Sequence, residues 1–207
     1  MKGKSRSCFI TLIVIFLIVT VLTFLLRLNT LNNFEINQKI VDSEWAKLYK
    51  GVNERNDLFK KIIAQKNKEN EIFDSLRVVL EKVYKNYALY KKGCTLDFVE
   101  GEHILNNEYL KSLKAFSLDS SLLNKEGWGT LKELKVSDNE MNNVIADYNN
   151  SVLENNKYIS TFPNFILAKR NGFSKKKFFT IKYGIKNEDP IEKSKKLPEW
   201  AKNKDTL

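Results

Sequence analysis

Residues 41–62 read VDSEWAKLYKGVNERNDLFKKI, and in them Val41, Trp45, Leu48, Val52, Arg55, Phe59 and Ile62 recur at alternating steps of four and three. That spacing lays one stripe of side chains along a helix, whereas a strand repeats every second residue. The stripe has the form of a heptad seam with a single polar member, Arg55. The same phase runs through Lys66 and Glu69, which are polar, and resumes at Phe73, Leu76, Leu80, Val83, Tyr87 and Tyr90. The pattern predicts one helix from Phe34 to about Lys92, or two nearly collinear helices with a polar joint near residues 64–70. Unbroken, such a helix would be about 90 Å long. Gly51 weakens it by about 1 kcal/mol without ending it.

The neighbouring sequence supports a helical body. No proline precedes Pro163, as expected of helices, since proline removes a donor and clashes with the preceding turn. Gly93 and Gly101 bracket a predicted turn, and a further helix is expected over about 102–116. Residues 117–130 read ambiguously, with Gly127-Trp128-Gly129 as a break. Ser137-x-x-Glu140 resembles a capping box. After it Met141, Ile145, Tyr148, Val152, Asn155, Ile159 and Phe162 form a second seam that stops at Pro163. Two such seams joined by short connections must bury each other. The expected fold is all-α: an elongated antiparallel bundle of three or four long, coiled-coil-like helices.

Towards the N-terminus, Cys8 to Leu26 form nineteen residues without a charge. As a helix they span about 28 Å, close to the hydrocarbon thickness of a bilayer. Lys2, Lys4 and Arg6 precede the run and Arg27 closes it. A cleaved signal would have a shorter core and a small-residue cleavage site, so an uncleaved anchor is expected, in contact with lipid through residues 8–27. The basic flank places the N-terminus in the cytoplasm and the large domain outside. The domain plan is a basic flank at 1–7, an anchor at 8–27, a bundle at 28–180 and a basic, disordered tail at 181–207.

The formal charge of +10 sits at the two ends. Residues 1–27 hold four basic side chains and no acid, and residues 163–207 hold twelve basic and five acidic, leaving nineteen and twenty between them. A near-neutral body argues against a nucleic-acid partner. Two cysteines, Cys8 and Cys94, lie in different environments and are not expected to pair. His103 is the only histidine, which leaves no basis for a histidine triad or a Cys/His metal site. Glu100, Glu102 and His103 are expected to share a surface loop. Phosphate-binding glycine loops and nucleophile elbows are missing from the sequence. No cofactor and no enzymatic activity are therefore expected.

Several of these residues also carry a resemblance. Trp45-Ala46 stands ten residues before Arg55-Asn56-Asp57-Leu58. Downstream come Asp147-Tyr148-Asn149 with Val152, Phe162-Pro163-Asn164, Gly172-Phe173 and Lys175-Lys176-Lys177-Phe178-Phe179. In order and spacing the chain resembles the LemA family, from the anchor to about residue 180. It departs from the family pattern where Lys60-Lys61 replace a Pro-Asn pair and in lacking the middle E-N-Y-P segment. The resemblance implies a single anchor and a long helical bundle, and it brings no settled activity.

Physically, Arg55 on the seam either meets a partner on a facing helix, with Asn155 a candidate, or reaches to the edge. Arg55 and Asp57 point apart on a helix. Tyr148 and Asn149 straddle core and surface. Phe162-Pro163-Asn164 make a helix stop, and Gly172-Phe173 a chain reversal that packs Phe173. Lys169, Arg170, Lys175, Lys176 and Lys177 interleave with Phe178 and Phe179, as a packed and solvated basic segment, as a surface for anionic lipid or, least favoured by the near-neutral body, as one for nucleic acid. The leading functional expectation is an interaction scaffold or adaptor in the bacterial cell envelope, bound to other membrane proteins or to itself. The alternative is a sensory domain that takes a small molecule or peptide between its helices.

Overall fold

The computed structural model describes residues 2–85 and 87–196, with side chains from residue 11 onward except at 194. Helix α1 runs unbroken from Lys2 to Ala64. It is followed by α2 (Glu71–Lys85), a 3-10 turn at Tyr87–Lys92, α3 (Leu96–Leu118), a second 3-10 turn at Ser120–Leu122, α4 (Lys125–Ser160), α5 (Asn164–Asn171) and α6 (Pro190–Lys196). The described residues contain no β-strand, only an isolated bridge between Lys66 and Leu123.

The apolar run lies in the first part of α1 and is long and apolar enough to cross a membrane, with none of its most apolar window buried. Its threonines bond back into the helix, Thr20 to Phe16 O (2.8 Å) and Thr23 to Thr20 O (2.9 Å), which satisfies hydroxyls that hydrocarbon cannot. Above Arg27 the same helix becomes the spine of the bundle. Every seam residue from Val41 to Ile62 is buried, Arg55 included.

The polar stretch 65–70 is a reversal rather than a joint between collinear helices. Asn67 N donates to Leu122 O (2.8 Å) and Asn124 N to Gln65 O (3.2 Å), so the chain is tied to the other loop at this end. The Asn70 side chain accepts from Ile72 N and starts α2. This helix then runs back along α1, bringing Tyr84 over Lys60 at 4.0 Å and the Tyr87 carbonyl to the Tyr49 hydroxyl at 3.1 Å. Six consecutive polar residues cannot continue a buried stripe, so the seam ends there and restarts in the opposite direction.

Helix α3 starts six residues earlier than its apolar spacing suggests. Thr95 caps it, accepting from Phe98 N (3.2 Å), and Gly101 lies inside it against Val83. Helix α4 likewise starts at Lys125, twelve residues before the capping-box match. Asn124 is its cap, accepting from Gly127 N (2.8 Å). Gly127-Trp128-Gly129 is therefore a first helical turn and not a break. Caps of this type contribute about 1 kcal/mol each, enough to offset a glycine.

Helix α4 lies antiparallel on α1, and α3 lies antiparallel on α2, giving an up-down-up-down bundle of two helix pairs. Gly51 allows a close approach of the first pair: a Cβ there would collide with the Met141 sulfur. The two pairs bury a common core that includes Trp45, Leu48, Val52, Phe98, Ile145 and Tyr148. A second cluster fills the end nearer the loops, around Phe59, Phe73, Leu105, Tyr109 and Leu134. A third, Phe34, Ile159 and Ala168, closes the end nearer the apolar run.

Residues beyond 180 belong to the fold as far as they are described. Ile181 and Tyr183 are 1% exposed, and α6 lies against α3. The expected disordered tail at 181–207 is thus corrected for residues 181–196. They are held because Phe179, Ile181 and Tyr183 alternate with Thr180 and Lys182, and the three large side chains fill core space. Residues 197–207 lie outside the described part.

Candidate functional site

Several of the residues singled out by the sequence, among them Arg55, Tyr148, Asn149, Gly172 and Phe179, meet at one feature, the seat of the non-helical segment that follows α5. Gly172 ends α5 in the left-handed region (φ 77°), a conformation that glycine adopts without Cβ strain. Phe173 packs on Phe34 with ring centroids 4.9 Å apart, as the expected reversal requires. The chain then turns back along α4.

Three asparagines of α4, spaced seven residues apart, hold this segment by its main chain. Asn156 accepts from Lys176 N (2.8 Å) and donates to Lys176 O (2.8 Å). Asn149 accepts from Phe179 N (2.9 Å) and donates to Phe179 O (2.8 Å). Asn142 accepts from Tyr183 N (2.9 Å) and donates to Tyr183 O (3.1 Å). On α3, Asn106 accepts from Gly184 N (3.1 Å) and donates to Ile185 O (2.8 Å). Fourteen helical residues rise about 21 Å, and only seven residues of the segment cover that distance. The segment is therefore nearly as extended as a β-strand, at about 3 Å per residue. Each amide supplies the donor and acceptor that a neighbouring strand would supply. The Tyr148 hydroxyl adds a bond to Lys177 O (2.8 Å) and the Cys94 thiol one to Phe178 O (3.7 Å). Burial pushes the Cys94 thiol up to about 12, which suits a small packed side chain and not a nucleophile.

This strap, residues 174–185, carries Tyr183 into a buried polar centre. Arg55 Nε donates to Asp138 Oδ1 at 2.7 Å, with the two side chains 0% and 5% exposed. Its guanidinium carbon lies 3.9 Å from the Tyr183 ring centroid and 4.7 Å from that of Phe59. The Tyr183 hydroxyl donates to Glu102 Oε2 (2.8 Å) and the Tyr87 hydroxyl to Glu102 Oε1 (3.4 Å). Burial raises the Glu102 carboxyl above its ordinary value, against the pull of Arg55 and the two tyrosines. Burial also opposes the Arg55 charge, but Asp138, Tyr183 and Glu102 outweigh it and hold the guanidinium protonated. Arg55 Nη1 and Nη2 have no hydrogen-bond partner, so the stacked tyrosine ring and the nearby carboxylates supply most of the compensation.

Two expectations are corrected here. Arg55 does reach a partner on the facing helix, but the partner is Asp138, because the antiparallel register sets Asn155 about two heptads nearer the apolar run. Glu102 and His103 are buried on α3 and are not loop residues; His103 Nε2 contacts the Asn107 amide at 3.0 Å. Glu100 is half-buried on the same helix. Among the described residues no group of three or more His, Cys, Asp or Glu side chains could hold a metal ion.

The basic segment does not act as one surface. Phe179 is fully buried in the core against Phe98 at 5.8 Å, which removes it from the proposed lipid-facing set. Phe178 is exposed, and Lys176 pairs with Asp42 at 3.3 Å. Lys169, Arg170 and Lys175 are exposed, while Lys177 is half-buried. Trp45 donates from its ring nitrogen to Tyr90 O (3.1 Å) and Lys91 O (3.2 Å), fixing the turn between α2 and α3. Asp57 bonds Lys60 on the surface. The Asn164 side chain donates to Tyr158 O (3.2 Å) beside Pro163. Phe162, the expected last member of the α4 seam, is 75% exposed, because α4 ends at Ser160 and the side chain leaves the helical phase. An open crevice of about 350 Å³ lies beside Trp45 and Tyr148, lined in part by Lys92, Lys175 and Lys176.

Sequence reading missed the asparagine ladder, although Asn142, Asn149 and Asn156 stand at a heptad interval in the chain. The alternation of Phe179-Thr180-Ile181-Lys182-Tyr183 was the other available signal. A family model described as the LemA family matches residues 44–191. No curated protein and no solved structure matches the chain. The matched range takes in the α1 seam from Trp45 onward and the whole strap.

Proposed function

The chain belongs to the LemA family, and from that premise we propose that it is a membrane-anchored, non-enzymatic adaptor of the bacterial cell envelope. Helix α1 crosses the bilayer once, with the N-terminus in the cytoplasm, and holds the bundle outside as a rigid binding surface for other membrane proteins or for further copies of itself.

The observation that carries this reading is the continuity of α1 from the apolar run into the core. A flexible linker would give a tethered domain free to turn. An unbroken helix fixes height and rotation together, and those are the properties a scaffold beside other membrane proteins requires. From Leu26 to Ala64 the spine rises about 57 Å. Ile36 and Ile40, 45% and 48% exposed one turn apart on this spine, offer an apolar strip above the apolar run.

The alternative, a ligand taken between helices, draws on the crevice beside Trp45. That crevice is open to solvent and edged by lysines, whereas the interhelical positions around it are filled by aromatic side chains. The adaptor reading is therefore preferred.

The test is photo-crosslinking in intact cells from positions 36 and 40, with alanines inserted after Leu28. Two inserted residues turn the bundle by about 200° and seven by about 20° short of two full turns. The expected result is a discrete crosslinked partner, or a dimer, lost with two alanines; a dimer, whose copies rise together, is regained with seven, whereas a separate partner is left about 10 Å lower and is not. A crosslink indifferent to both insertions, or none at all, overturns the proposal.

A further inference from the structure

We propose that the corner between α4 and α5, Phe162 to Ile166, is a second membrane foothold, seated in the headgroup layer of the bilayer that α1 crosses. The proposal rests on the anchored reading of α1 given above.

The α1–α4 register sets the height of this corner. Arg55 faces Asp138, Trp45 faces Tyr148 at 5.4 Å, and Phe34 faces Tyr158 at 5.3 Å. The Asn33 side chain also donates to the Tyr158 hydroxyl (3.2 Å). The two helices thus descend together, residue for residue. Four residues past Tyr158, Phe162 comes level with about residue 30 of α1, about 6 Å above Leu26. The headgroup region on each face of a bilayer is about 5–7 Å deep. The corner therefore reaches the layer in which aromatic side chains settle.

Its composition fits that layer. Tyr158 to Ala168 contain no charged side chain, and Lys157, Lys169 and Arg170 flank them. Phe162 is 75% exposed, and Phe165 and Ile166 are each 50% exposed, whereas the other described aromatic side chains of the bundle, apart from Tyr84 and Phe178, are buried or half-buried. Ala168 holds α5 down against Phe34 and Ile159, so Ile166, two residues before it and on the opposite side of the helix, is presented away from the core. Lys169 and Arg170, in the last turn of α5, complement anionic headgroups beside them.

The chain supplies its own readout. Trypsin cuts at Lys157 and Lys169, releasing the corner as one peptide, residues 158–169. It also releases the apolar run as 7–27 and the far loop as 115–125, which carries Leu118 at 80% exposure. The full chain is reconstituted in phosphatidylethanolamine/phosphatidylglycerol vesicles containing a phospholipid with a photoactivatable group near its headgroup, irradiated, digested and read by mass spectrometry. Lipid adducts are expected on 7–27 and 158–169, with several-fold fewer on 115–125. The substitutions Phe162→Asp and Phe165→Asp together, at exposed positions, should reduce the 158–169 adduct several-fold and leave that on 7–27 unchanged. Adducts on 7–27 without any on 158–169 overturn the foothold and leave the anchor standing. A corner that instead crosslinks to another copy of the chain overturns it as well. Equal labelling of 115–125 reduces the contact to nonspecific adsorption and overturns it. No adduct on 7–27 removes the anchor and the foothold together.

Discussion

Arg55 occupies a seam position that leucine would fill in an ordinary heptad, and the cost of burying its charge is met by Asp138, the Tyr183 ring and Glu102. Removing one partner of a buried pair leaves the other uncompensated, at about 3–5 kcal/mol, whereas replacing both by apolar groups is often close to neutral. Arg55→Leu strands two buried carboxylates and should lower the unfolding free energy of the detergent-solubilised chain by about 3–5 kcal/mol. Arg55→Leu combined with Asp138→Leu should be less destabilised than Arg55→Leu alone. Denaturant unfolding of these two variants and of Asp138→Leu alone decides this, and simple additivity of the two substitutions would show that the pair is not coupled. The seam phase located Arg55 in the sequence but not its partner. A facing residue depends on the register of two helices, and that register is set by loops whose asparagine caps outweighed the glycines beside them.

At the scale of elements, α4 is both a packing helix and a template. Its buried seam binds α1, and its asparagines hold the strap through paired hydrogen bonds to single residues. Leaving such groups unpaired costs about 1–3 kcal/mol. Asn149→Leu is therefore expected to destabilise the fold by about that amount and to speed amide exchange at Phe179 while α1–α4 amides away from the strap stay protected. Asn149→Asp keeps the acceptor for Phe179 N and loses only the donor to Phe179 O, so it should destabilise the fold while loosening the Phe179 amide less than Asn149→Leu does. Exchange measured by mass spectrometry on strap peptides tests both, and unchanged protection at Phe179 in Asn149→Leu would refute the template role. Helices α1, α2 and α4 were legible because heptad spacing records burial on one face. The strap was not, because its net basic, proline-flanked composition resembles that of a solvated tail. What holds it is a set of side-chain amides on another element, and no local property of the segment reports them.

For the whole molecule, the strap lies between α3 and α4 and completes the core with Phe179, Ile181 and Tyr183. Burying a large side chain contributes about 1.5–3 kcal/mol, so the three together approach the entire stability of an ordinary domain, about 5–15 kcal/mol. A chain ending at Phe173 should retain the apolar run and its membrane association. Its bundle should lose cooperative unfolding and bind a hydrophobic dye, since the groove and Glu102 would open to water. Thermal unfolding followed by circular dichroism, with dye fluorescence alongside, checks this. A melting temperature within a few degrees of the full chain would mean that the helix pairs stand without the strap.

The asparagine ladder grips amide groups, and amide groups are the same in nearly every amino acid. Outward-pointing letters of the clasped segment, such as Lys175, Thr180 and Lys182, can therefore be respelled without loosening the clasp, provided that the three inward anchors keep their bulk. The molecule thus presents a long external line of text on a mount indifferent to what is written there. A library randomised at those three places should fold as a population, and any selection among its members would then act on what the line touches outside.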